Sequence, residues 1–158
     1  MQGIKAAAIV LCVTAATLLA QQHPNFSGSW SLNLGASDYS DSTANRPDHL
    51  TITVQQHGDV LKYRVEREKD SKKSNMEVDL SIGGAPLISD ALGDIQAQWK
   101  GDKLEIQTMY NPGQDRQSDQ VETWSLSADE KQLTDDIRIH PPNNQREVHI
   151  RRVLDKQQ

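Results

Sequence analysis

Cysteine is almost missing from this chain of 158 residues: the only one, Cys12, sits inside an apolar N-terminal segment. From there on the chain can form no disulfide and offers neither a thiol nucleophile nor a thiolate metal site. Aromatic residues are scarce as well, at 4 %, so a core has to be built mainly from Leu, Ile and Val. There is no Gly-x-Ser-x-Gly elbow and no glycine-rich phosphate loop, which removes the common signatures of serine hydrolases and nucleotide-binding enzymes. The net charge is −5, and both signs are interspersed from Arg46 to Lys156 with no basic stripe; nucleic acid is not an expected partner. Helical periodicity, with apolar residues three and four apart, is absent after the N-terminal segment.

The one long apolar run lies at the start. Residues 1–5 carry a single positive charge, Lys5, and Ala6 to Ala20 carries none. About 15 apolar residues fall short of the roughly 20 that span a bilayer; a short basic region followed by such a run is the pattern of a signal peptide. We assign residues 1–20 to it, with cleavage after Ala20, although Leu18 is larger than the small residue usual two positions earlier. Leu11 stands before Cys12 where a lipoprotein anchor wants Gly or Ala. The mature chain is then residues 21–158, one domain, expected to be exported to the periplasm or the extracellular space as a monomer without stable membrane insertion. Lacking disulfides, it relies on a hydrophobic core, for which its length suffices.

The remaining chain alternates strictly. Phe26, Gly28, Trp30, Leu32 and Leu34 share one face while Ser27, Ser29, Ser31 and Asn33 share the other, the period of a half-buried β-strand. Gly35 to Asp48 is polar and reads as a loop. Leu50, Ile52 and Val54 form the next apolar face, and a turn at His57-Gly58 would set Val54 opposite Leu61 and Ile52 opposite Tyr63. Met76, Val78, Leu80 and Ile82 follow, then a short irregular strand near Pro86 to Ser89. Gly101-Asp102 would pair Trp99 with Leu104 and Ala97 with Ile106. A turn at Ala128 to Lys131 pairs Leu126 with Leu133 and Trp124 with Asp135; extending that register pairs Ile139 with Val148, Ile137 with Ile150, and Asp135 with Arg152. The mixed-charge run Arg64 to Lys73 reads as a solvated hairpin end.

Eight to ten strands, each apolar on one side, must cover that side. With no helices available, successive hairpins favour an all-β, up-and-down antiparallel meander closed into a barrel, which also removes exposed edges. The lumen is either partly empty, making the protein a carrier of a small apolar or amphipathic ligand, or filled, making it a structural or interaction protein, such as an inhibitor, that works through its outer surface or loops.

Three segments carry a resemblance. Phe26-x-Gly28-x-Trp30 resembles the first strand of the calycin barrels, the lipocalins and fatty-acid-binding proteins. Asn25 to Asn33, Trp99 to Leu104 and Glu122 to Ser127 are similar to the N-F-S-G-x-W-x-L-N, W-x-G-D-K-L and E-T-W-x-L-S segments of small secreted bacterial lipocalin-like proteins. The resemblance implies a ligand-holding barrel and two roles for an Arg on the last strand: packing across the first-strand Trp, as in lipocalins, or binding a ligand carboxylate, as in fatty-acid-binding proteins. This chain departs from the latter in having too short a loop after the first strand for a helical lid, and Leu154 where the Arg-x-Tyr anchor has its Tyr.

Trp30, Tyr63, Trp99, Ile106, Trp124 and Arg152 are the candidate ligand-binding residues, with Trp30 also expected to plug one barrel end. Asp135 and Arg152 are the expected structural ion pair, since an inward Arg is costly without a partner, and Arg152 could also stack on Trp30. Glu122 and Asp135 are inward carboxylates, but no catalytic signature accompanies them, and no enzyme activity is expected. No metal or other cofactor is expected: His49 and His57 stand eight residues apart on one strand, about 26 Å at ~3.3 Å per residue, while His140 borders the Pro141-Pro142 turn and His149 faces outward.

Overall fold

The computed structural model describes residues 23–111, 117–143 and 145–158; the segment read as a signal peptide lies outside the described residues. Among the described residues nine strands form a single antiparallel sheet: β1 (Gly28–Leu32), β2 (His49–His57), β3 (Val60–Lys69), β4 (Lys72–Ser81), β5 (Asp94–Lys100), β6 (Lys103–Tyr110), β7 (Ser118–Leu126), β8 (Gln132–His140) and β9 (Val148–Lys156). The only helical element among the described residues is a single 3₁₀ turn, Thr43–Asn45. The order across the sheet is β4-β3-β2-β1-β9-β8-β7-β6-β5, so the first and last strands meet: Trp30 pairs with Ile52 on one side and Lys156 on the other. Between β4 and β5 the ladder is reduced to a bridge at Ile82 and Ala97, where Gly83 N–H donates to Ala97 O at 2.7 Å. This is the nearly closed up-and-down barrel that alternation and hairpin chemistry led us to expect.

Register shows how the turns set it. The hairpins at Gly101-Asp102 and Ala128 to Lys131 pair as expected, Trp99 with Leu104 and Trp124 with Asp135, and β8 and β9 pair Asp135 with Arg152. The first hairpin differs. His57 pairs with Val60 and Val54 with Tyr63, so the loop is Gly58-Asp59 rather than His57-Gly58. Its first position takes φ 59°, which glycine adopts at little cost and histidine does not. The same Gly-Asp pair closes the β5–β6 hairpin. The correction moves the pairing by two residues, so every side chain keeps its face. Pro86 to Ser89 forms no strand; Leu87 and Ile95 exchange two backbone hydrogen bonds and nothing more. The charged run Arg64 to Lys73 spans the β3–β4 hairpin, turned by Asp70 and Ser71.

The two barrel ends are built differently. At the end holding the β2–β3, β5–β6 and β7–β8 turns, the N-terminal segment folds across as a plug. Phe26 and Trp30 are fully buried, Trp30 Nε1 donates to Phe26 O at 2.9 Å, and Gln56 accepts from Phe26 N–H at 2.9 Å and donates to Pro24 O at 3.2 Å. His23 stacks on Trp99 with 4.2 Å between ring centroids. Gly28 explains its place in the F-x-G-x-W segment: a Cβ there would lie 3.2 Å from the Lys156 side chain, whose ammonium sits 5.0 Å from the centre of the Trp30 ring. The cation over Trp30 is thus Lys156 and not Arg152, because β9 pairs with β1 four residues beyond Arg152.

Candidate functional site

At the opposite end, the polar stretch Gly35 to Asp48 lies over the barrel mouth. Asp38 and Arg151 exchange backbone hydrogen bonds at 2.8 and 2.9 Å, anchoring the loop to β9. Tyr39 is thereby buried against Ile137 and Ile150. Beneath the loop is a cavity of 190 Å³ lined by apolar Pro47, Leu50, Ile137, Ile139 and Ile150 and by polar Tyr39, Asn45, Arg67, Gln120 and Arg152. The Tyr39 hydroxyl is buried with no hydrogen-bond partner among the described residues.

Arg152 stands between two carboxylates. Its Nε and Nη2 converge on one oxygen of Asp135, Oδ2, at 2.9 and 2.5 Å, and Nη2 lies 3.5 Å from Glu122 Oε2. Asp135 is wholly buried, and its other oxygen, Oδ1, has no partner among the described residues. Glu122 is also held by Gln120 Nε2 at 2.5 Å. Burial has the largest effect on Asp135 and pushes its carboxyl up to about 7; Arg152 pulls it down and Glu122 adds to the push. Burial alone would weaken the Arg152 charge, but Asp135 and then Glu122 more than reverse this and hold the guanidinium protonated. Burial likewise raises Tyr39, Tyr110 and, most strongly, Tyr63, with Glu122 adding to the rise at the last two.

The expected site residues divide into three groups. Trp30 and Trp99 belong to the plugged end; Trp99 is half-exposed between His23 and Phe26 rather than lumen-lining. Tyr63, Ile106 and Trp124 fill the barrel's middle, with Tyr63 edge-on to Trp124 at 5.2 Å. Of the six, Arg152 alone lines the open mouth. Sequence reasoning placed Asp135 opposite Arg152 but missed Glu122 as the second acid beside it. It also missed Tyr39 and the isoleucines of the mouth. The signal for Tyr39 was slight, a single ring in an otherwise polar loop.

The architecture defines the class: a calycin-like β-barrel, nine strands wound up and down and nearly closed. Among solved structures it is similar to lipid binding protein 8 of Caenorhabditis elegans (TM-score 0.59, 14 % identity, 84 % of this chain and 95 % of that one). It is similar also to secretory abundant heat soluble protein 4 of Ramazzottius varieornatus (TM-score 0.60, 12 % identity, 88 % and 100 % covered). A third is the zebrafish ileal bile acid-binding protein in complex with cholic acid (TM-score 0.54, 14 % identity, 84 % and 98 % covered). At these identities the likeness is one of fold. No protein-family model matches the sequence, and no curated protein matches it significantly.

Proposed function

We propose that this protein is an exported, monomeric carrier that binds a small apolar or amphipathic molecule at the open mouth of its barrel. The observation that carries this reading is the 190 Å³ cavity, in which apolar walls surround a few convergent polar groups and one buried hydroxyl with no partner among the described residues, the usual composition of a ligand site. The fold supports it, since two of the similar proteins are described as lipid-binding and bile-acid-binding. Export rests on residues 1–20. The lower lumen is filled by Leu61, Leu104, Ile106, Trp124 and Leu133, all fully buried, which limits the ligand to a short or slender one and favours, as the second reading, a filled barrel acting through its surface. Titration with the uncharged dye N-phenylnaphthylamine separates the two. Saturable fluorescence that Ile139→Trp abolishes supports the carrier; a folded protein that never enhances the dye supports the filled barrel.

A further inference from the structure

Two arginines line the mouth, and their charges stand in different states. At the base, Arg152 is answered twice: Asp135 and Glu122 face its guanidinium through contacts of 2.5 to 3.5 Å. A further anion there would lose its hydration beside two like charges. At the rim, Arg67 is half-buried near the end of β3, opposite Leu50. Its Nη2 donates to the neutral Asn45 carbonyl at 3.1 Å, and no carboxylate pairs with it among the described residues. The acids on either side of it in sequence point to the opposite face of the strand and have their own cations, Glu66 at 3.9 Å from Arg64 and Glu68 at 3.8 Å from Lys73. The Tyr39 hydroxyl registers the same field. Burial raises it most; Arg152, Arg67 and the exposed Arg46 each oppose that rise, while Asp135 works against them. Between rim and base the wall is apolar: going inward, β8 and β9 pair Ile139 with Val148 and Ile137 with Ile150 before reaching Asp135 and Arg152. The unanswered positive charge of the mouth therefore lies at its outer edge, above the isoleucines.

We infer that Arg67 at the rim, and not Arg152 at the base, selects the ligand: the mouth takes amphipathic anions with the charged end outward at Arg67 and the chain inward on Leu50, Ile137 and Ile150. The inference rests on the carrier reading above. It gives the last-strand Arg no part in holding a ligand carboxylate; Arg152 stays a structural group, neutralised by its two acids.

Displacement of N-phenylnaphthylamine by decanoate, decylamine, decanol and N-decanoylglycine, used below their micelle concentrations at pH 7.5, tests it. Decanoate is expected to compete about fivefold better than decylamine, the upper end for a solvent-facing ion pair. N-decanoylglycine keeps the chain and the charge but has a longer head, and should match decanoate to within about threefold because that head faces solvent. In Arg67→Gln the affinity of decanoate relative to decanol should fall about fivefold. Decylamine equal to or better than decanoate overturns the inference. So does rejection of N-decanoylglycine, which would put the charge inside at Arg152, and so does an unchanged decanoate-to-decanol ratio in a folded Arg67→Gln. The wild-type comparisons decide the matter even if that variant fails to fold. Failure of the dye itself to bind removes the carrier reading and this inference with it; dye binding with decylamine as the best competitor removes this inference alone.

Discussion

Arg152 and its two acids are the least forgiving residues of the barrel. Removing the guanidinium leaves Asp135 and Glu122 buried beside each other, so Arg152→Met should destabilise by about 3–5 kcal/mol. Asp135→Asn leaves Arg152 its second partner and should cost less, within about 2 kcal/mol. Chemical denaturation of the two variants checks the order; equal costs would mean that Glu122 contributes nothing to holding Arg152. The raised pKa of Asp135 gives a further expectation. Between its ordinary value of 3.8 and about 7 the folded protein holds a proton that the unfolded chain has released. Stability from this group is therefore fully present below about pH 4, falls as pH rises toward 7, and stays level above. The hydrogen-bonded surface acids Asp38 and Asp129, held below their ordinary value, act in the opposite direction, at pH below about 4. The melting temperature of the wild type relative to Asp135→Asn should thus decline from pH 5 to pH 8; a constant difference would contradict the shift.

Among the elements, β1 joins the two halves of the sheet, and Trp30 is its anchor: fully buried, bonded to Phe26 O and covered by Lys156. Trp30→Ala should cost about 3–5 kcal/mol and, because β1 carries both ladders of the closure, should lower cooperativity in a denaturant melt. A loss under 1 kcal/mol would mean that closure does not depend on β1. Most strands were legible because period-two alternation fixes the face and a turn fixes the register; two hairpins taken together were enough to set Asp135 against Arg152. The Gly58 turn was misread by one position, since alternation alone cannot distinguish registers two residues apart. What remained hidden arises where the chain meets itself at long range. The β1–β9 stagger puts Lys156 rather than Arg152 beside Trp30, and the loop path that lays Tyr39 over the mouth follows from backbone bonds to β9 that no local pattern encodes. Glu122 was visible as an inward acid, but its contact with Arg152 spans three strands.

For the whole molecule the expectations are export and occupancy. Protein recovered from the periplasm or the medium should begin at or within a residue or two of Gln21; a soluble cytoplasmic pool retaining Met1 would contradict export. Occupancy is the central claim. The most direct measurement is native mass spectrometry of the mature protein isolated from its own host without detergent or organic solvent. A discrete small-molecule adduct is expected on the wild type at one-to-one stoichiometry, lost on collisional activation and absent from Ile139→Trp, whose larger side chain fills the mouth. A wild type that appears only at its bare polypeptide mass, and stays so after incubation with decanol or decanoate, would contradict it.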